Sequence, residues 1–125
     1  MAEKKLTVYW YPKCSTCRNA VAWLHKRKQD LTLIDMVQTP PSKSLLKDLL
    51  KRSGFALLRF FNTSGKLYRE FKLANKLPNM TEDDALALLS QHGKLIKRPL
   101  VFSHNKITLG FKAAEFTNIW LADRA

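Results

Sequence analysis

Three segments near the start of the chain fix most of what it can become. "LTVYWY" (Leu6 to Tyr11) is short, β-branched and aromatic, with Lys4 and Lys5 before it and Pro12 after it. It reads as a buried strand. "STCRNAVAWLHKRKQ", from Ser15, sets Ala20, Val21, Trp23 and Leu24 on a helical face with basic residues at its end. "LTLIDM" (Leu31 to Met36) reads as a second strand. Strand, helix, strand within about 30 residues is a βαβ unit, which predicts that the two strands run parallel.

The rest of the chain changes character twice. "QTPPSKSLLKDLLKRSG" breaks the strand at Pro40 and Pro41. Ser42 then offers a cap, Leu45, Leu46, Leu49 and Leu50 form an amphipathic stripe, and Gly54 stops the helix. "FALLRFFNTSGKLYREFKLANKLPNM" suits a short helix up to Phe61, a turn at Asn62 to Gly65, and another short helix. Thr81 followed by Glu82, Asp83 and Asp84 marks a helix start, a cap with acids in the first turn, and that helix runs to Gly93. "LIKRPLVFSHNKITLGF" reads as an antiparallel hairpin turning at His104-Asn105, with Pro99 at its beginning. "KAAEFTNIW" closes as a helix with Phe116, Ile119 and Trp120 inward. The order predicts an α/β fold: one four-stranded mixed sheet with helices on its faces and a helical insertion over about 40–96.

The two cysteines of the chain, Cys14 and Cys17, fall between the first strand and the first helix. Cys14 sits at or just before the first helical turn, where unpaired backbone N–H groups and the positive end of the dipole converge. Both favour thiolate over thiol, and Arg18, one turn on, adds positive potential. Cys17 lies one turn inside on the same side, close enough to form a disulfide with Cys14, so one thiol can attack and the other resolve. Two other uses compete. A zinc site needs about four ligands, and His25, His92 and His104 are scattered with no His-x-x-x-His pair, so no metal is expected. Buried packing is the other, and Pro12 with the polar Lys13, Ser15 and Thr16 speaks for an exposed loop instead.

Two further stretches could serve a site. Arg98-Pro99 precedes the third strand, where a cis proline would turn the backbone sharply, or a trans proline would merely begin the strand. Asn62-Thr63-Ser64-Gly65 carries hydroxyls and backbone donors that suit an oxyanion, or an ordinary turn.

Composition narrows the setting. The chain has 125 residues, and 46% hydrophobic content allows one packed domain. No apolar stretch approaches the roughly 18 residues of a membrane span, and "MAEKKLTVYWYPKC" lacks the long apolar run of a secretory signal. A cytosolic protein is expected, where Cys-x-x-Cys is redox or metal chemistry more often than a permanent disulfide. The net charge is +12, from 22 basic and 10 acidic residues spread along the length. No nucleic-acid-binding motif accompanies it, so direct nucleic-acid binding is not expected. An acidic protein partner or a small oxyanion substrate suits the charge better, and nothing demands more than a monomer.

With these pieces placed, the chain resembles the arsenate reductase family in its broad sense, which includes the Spx-type regulators. "YWYPKCSTCRNAVAWL", "TPPS", "FFNTSGKLYREFKL", "LIKRPLVF" and "TLGF" carry the resemblance, in the family's order and across nearly the whole chain. It implies a single thioredoxin-like domain, core 5–39 and 97–125 with the helical insertion 40–96. It also implies a catalytic or redox-sensing Cys14, a cis Pro99 and a bacterial origin. Departures set the limits. Family members that reduce arsenate with glutathione and glutaredoxin surround the oxyanion with three arginines. Arg98 matches one, while Asn62 and, at about Phe111, "LGF" stand where the others would be. Cys17 matches the Cys-x-x-Cys of the Spx-type regulators, in which the pair is a disulfide switch and the partner is the C-terminal domain of the RNA polymerase α subunit.

The resemblance therefore implies a thiol–disulfide oxidoreductase, with Cys14 as nucleophile, Cys17 resolving it and Arg98 stabilising the thiolate or a bound oxyanion. Pro99, Arg18, Asn62, Ser15 and Thr16 would shape the site. A thiol reductant, glutathione with glutaredoxin or thioredoxin, would supply electrons, and no bound cofactor is expected. The alternatives are an Spx-like regulator that contacts RNA polymerase and a true arsenate reductase.

Overall fold

The computed structural model describes residues 5–121. In chain order they form β1 (Lys5–Trp10), α1 (Ser15–Lys26), β2 (Asp30–Asp35), α2 (Lys43–Ser53), α3 (Lys66–Glu70) and α4 (Leu73–Lys76). α5 (Glu82–Gln91), β3 (Leu100–Phe102), β4 (Ile107–Leu109) and α6 (Ala113–Trp120) follow. The chain separates into two compact units, one from Asp35 to Lys97 and the other built from the residues before and after that stretch.

The second of these carries the sheet, a mixed one in the order β2-β1-β3-β4. β1 pairs antiparallel with β3, Val8 opposite Val101, and β3 pairs antiparallel with β4, Val101 opposite Thr108. Leu6 and Val8, two residues apart, point to one face of the sheet. There they bury against Ala20, Val21 and Leu24 of α1, Val101 of β3, and Phe116 and Trp120 of α6. Each Leu, Val or Phe among them contributes about 1.5–3 kcal/mol on burial. The faces of Trp23 and Phe111 meet Phe116 nearly edge-on, with centroids 5.7 and 4.8 Å away. The buried Thr108 hydroxyl accepts the Trp120 indole N–H at 3.2 Å, so neither polar group goes unsatisfied.

The sequence pattern runs α1 on to Gln29, but the helix ends at Lys26. Lys28 adopts a left-handed conformation, φ 61°. Its N–H donates to the His25 carbonyl at 2.9 Å and the Gln29 N–H to that of Leu24 at 3.1 Å. This is a Schellman stop with lysine in the place glycine usually takes. β2 likewise starts and stops one residue before the expected limits. The Asp35 carboxylate accepts the Val37 and Gln38 N–H groups and bends the chain there.

The unit from Asp35 to Lys97 is helical. Ser42 Oγ accepts the Leu45 N–H at 3.1 Å and starts α2, and Gly54 ends it at φ 70°. Thr81 Oγ1 accepts the Asp84 N–H at 3.1 Å and starts α5. Leu46, Leu49 and Leu50 on α2 and Ala85, Leu86 and Leu89 on α5 are buried. The exposed Lys43 and Asp83, 2.6 Å apart, join the starts of the two helices. α5 stops at Gln91, short of Gly93, and a 3-10 turn spans Gly93–Leu95. Only glycine fits at 93, because a Cβ there would run into the carbonyl oxygen of Met36.

Candidate functional site

The loop after β1 is a tight turn. The Cys14 N–H donates to the Tyr11 carbonyl at 2.9 Å, and Cys14 is extended (φ −94°, ψ 123°) as the residue that caps α1. Its side chain does not cap in the way a serine would, and the first turn of α1 holds no acidic residue. The sulfur is half-buried while Cys17 is fully buried. Both are free thiols.

Four donors converge on the Cys14 sulfur: the backbone N–H of Cys17, the Arg98 side chain, the Cys17 thiol and the backbone N–H of Thr16. Partial burial alone would push this thiol up, but the four hydrogen bonds outweigh it and hold Cys14 below the ordinary thiol range. Cys17 moves the other way. Burial pushes it up to about 12, against a Tyr11 N–H that donates to its sulfur at 3.4 Å. The negative charge on Cys14 raises it further. One thiol is thus set to ionise and the other to keep its proton.

Arg98 and Pro99 come from the start of β3, joined by a cis peptide bond. The Pro99 carbonyl accepts the Gly110 N–H at 3.0 Å, which ties this corner to the strand hairpin. Arg18 was expected to add positive potential at this helix start. Its guanidinium donates to the Pro12 carbonyl at 2.9 Å, bracing the loop from outside. Ser15 and Thr16 are exposed, and Thr16 takes part through its backbone. Asn62 lies in the helical unit, where its N–H donates to the Leu95 carbonyl at 2.7 Å and its carbonyl accepts the Gly65 N–H at 3.0 Å. The carbonyl closes the turn, and the N–H ties it to the segment at Leu95. Tyr11, whose pattern reads as core, supplies main-chain groups to both cysteines and places its ring 5.4 Å from the Arg98 guanidinium. Its place three residues before Cys14 was the available signal. Among the described residues no group of three His, Cys, Asp or Glu is close enough to hold a metal ion. No described helix is long and apolar enough to cross a membrane.

Residues 9–119 match the ArsC family. The chain belongs to that family. It is 50% identical to the uncharacterized protein YusI of Bacillus subtilis, over 92% of this chain and 98% of that one. An arsenate reductase of Neisseria meningitidis is 31% identical over 85% of this chain and 90% of its own length. A crystal structure of an ArsC-family-related protein from Bacteroides fragilis superposes with a TM-score of 0.85 at 42% identity, covering 90% and 95% of the two chains. Global transcriptional regulators named Spx stand further off among the relatives. The fold expected of the ArsC family, an α/β fold of the thioredoxin-like kind, is the one observed.

Proposed function

We propose that this ArsC-family protein is a thiol–disulfide oxidoreductase that works through Cys14 and Cys17. The opposed shifts of the two thiols, one lowered at a helix start beside Arg98 and one raised in the interior, carry the reading. The Cys14 thiolate attacks one sulfur of a substrate disulfide, which releases the other sulfur as a thiolate and leaves a mixed disulfide on Cys14. Forming that bond removes the negative charge that weighed on Cys17. Cys17 then passes its proton to the released substrate thiolate and attacks the Cys14 sulfur, which frees the other substrate sulfur as a thiolate and closes a Cys14–Cys17 disulfide. Glutathione with glutaredoxin, or thioredoxin, returns two electrons and two protons to the pair. Arg98 holds the attacking thiolate, as it would hold a small oxyanion in place of the disulfide.

Thiolate absorbance against pH tests the first step, and trapping tests the second. Cys14 titrates below about 8.5, and the Cys17→Ser variant accumulates the mixed disulfide. A Cys14 titrating at or above that value would sink the reading. Arsenate belongs in the same assay, given the meningococcal relative, with turnover dependent on Cys14 as the supporting result.

The Spx-named relatives favour a second reading, in which the same disulfide switches a contact with RNA polymerase. Pull-down with the C-terminal domain of the polymerase α chain, on oxidised and reduced protein, separates the two. Binding in neither state removes the regulator.

A further inference from the structure

Tyr11 touches Cys14, Cys17 and Arg98, and its three contacts differ in kind. Its carbonyl accepts the Cys14 N–H at 2.9 Å and its N–H donates to the Cys17 sulfur at 3.4 Å. Any residue other than proline could supply both. The third contact needs an aromatic ring: the Arg98 guanidinium carbon lies 5.4 Å from the centroid of the Tyr11 ring. That is within the roughly 6 Å over which a ring face attracts a cation. Both side chains are half-buried, which weakens screening by water and strengthens the attraction. Arg98 is also the side chain that donates to the Cys14 sulfur. A long arginine has many rotamers, and holding one of them against a sulfur costs conformational entropy. A rigid ring beside the guanidinium removes part of that freedom in advance.

We propose that Tyr11 is a positioning residue, whose ring seats Arg98 against the Cys14 sulfur. The inference rests on the oxidoreductase reading above, because it concerns the same thiolate. The charged and titratable groups set against Cys14 are Arg98 and Cys17, while Arg18 is engaged by the Pro12 carbonyl. Beyond its main-chain bonds, which survive substitution, the Tyr11 ring acts on Cys14 through Arg98.

Thiolate absorbance against pH, with the rate of reaction with iodoacetamide at pH 7, reads this on wild type, Tyr11→Phe, Tyr11→Leu, Arg98→Ala and the Tyr11→Leu/Arg98→Ala double variant. Cys17, held near 12, stays silent through the range. Tyr11→Phe keeps the ring and should titrate as wild type. Tyr11→Leu should lower the Cys14 thiolate-to-thiol ratio at pH 7 by about threefold, the scale of one partly exposed cation–π contact. In the Arg98→Ala background Tyr11→Leu should add nothing. The inference is overturned if Tyr11→Leu titrates as wild type, or if it shifts Cys14 equally with Arg98 absent. Arg98→Ala then still shows its own shift, so the oxidoreductase reading stands. An unshifted Cys14 in the wild type fells both. Should Tyr11→Leu fold poorly, Tyr11→Met removes the ring with little loss of volume and must give a lower thiolate-to-thiol ratio than Tyr11→Phe.

Discussion

Helices α1 and α5 begin in opposite ways. α5 is sealed: Thr81 Oγ1 takes the Asp84 N–H, and Glu82, Asp83 and Asp84 fill its first turn with negative charge. α1 starts with a thiol at the same position, no side-chain cap and no acid in the first turn. A helix start always presents unpaired N–H groups and positive potential. α5 satisfies them permanently. α1 leaves them directed at a sulfur that can be protonated, ionised or bonded to another sulfur. The difference shows how one backbone feature becomes either a structural end or a chemical site, by the residue at the cap and the charge beside it.

Making α1 resemble α5 should abolish chemistry before it changes anything else. Cys14→Ser places a good capping hydroxyl there. Disulfide exchange should fall to the background of Cys17 alone, followed by release of a chromogenic thiol. The same change should stabilise the chain by about 0.5–1 kcal/mol below the thiol's titration range, read by denaturant unfolding. A variant that retained exchange would show that Cys14 is not the nucleophile.

The next effect is on alkaline stability. Unfolded, both thiols ionise at about 8.5. Folded Cys14 ionises lower, so its contribution is full above that value and is lost as pH falls through its folded pKa. Folded Cys17 keeps its proton to about 12, so its contribution is full below the unfolded value and is lost as pH climbs towards 12. Unfolding midpoints should therefore drop between pH 9 and the alkaline limit, less steeply in Cys17→Ser, which does not titrate there. Equal slopes would contradict the burial of that thiol.

On the α5 side, Thr81→Ala should lower stability by about 1 kcal/mol and leave thiol kinetics unchanged. The smallest effect comes from giving α1 an α5-like charge. Thr16→Glu should raise the Cys14 titration slightly, because a carboxylate in the first turn opposes the thiolate. A fall instead would mean that the dipole and the N–H groups do not govern that sulfur.

Much of this contrast was legible in the sequence, because caps and aromatic strands act locally. Thr81 with three acids, Ser42 before a leucine stripe, and Gly54 after it are short-range rules, and each element starts or stops there. Cys14 at a helix start followed from the strand before it and the periodic apolar residues after it. Other features depended on contacts between distant or competing groups. Arg18 was placed near Cys14 by spacing alone, and its hydrogen bond to the Pro12 carbonyl could not be read from the sequence. Lys28 ended α1 in a conformation that composition would assign to glycine. Tyr11 looked like core because aromatic residues beside a strand usually are, and its part emerged from the approach of Arg98, 87 positions later.

The full burial of Cys17 has a consequence for counting. A short pulse of alkylating agent at neutral pH should add one label to the folded chain and two to the unfolded chain. The second label then arrives only when the first turn of α1 opens, so its rate, followed by mass, is a clock for local unfolding at this one place in the protein.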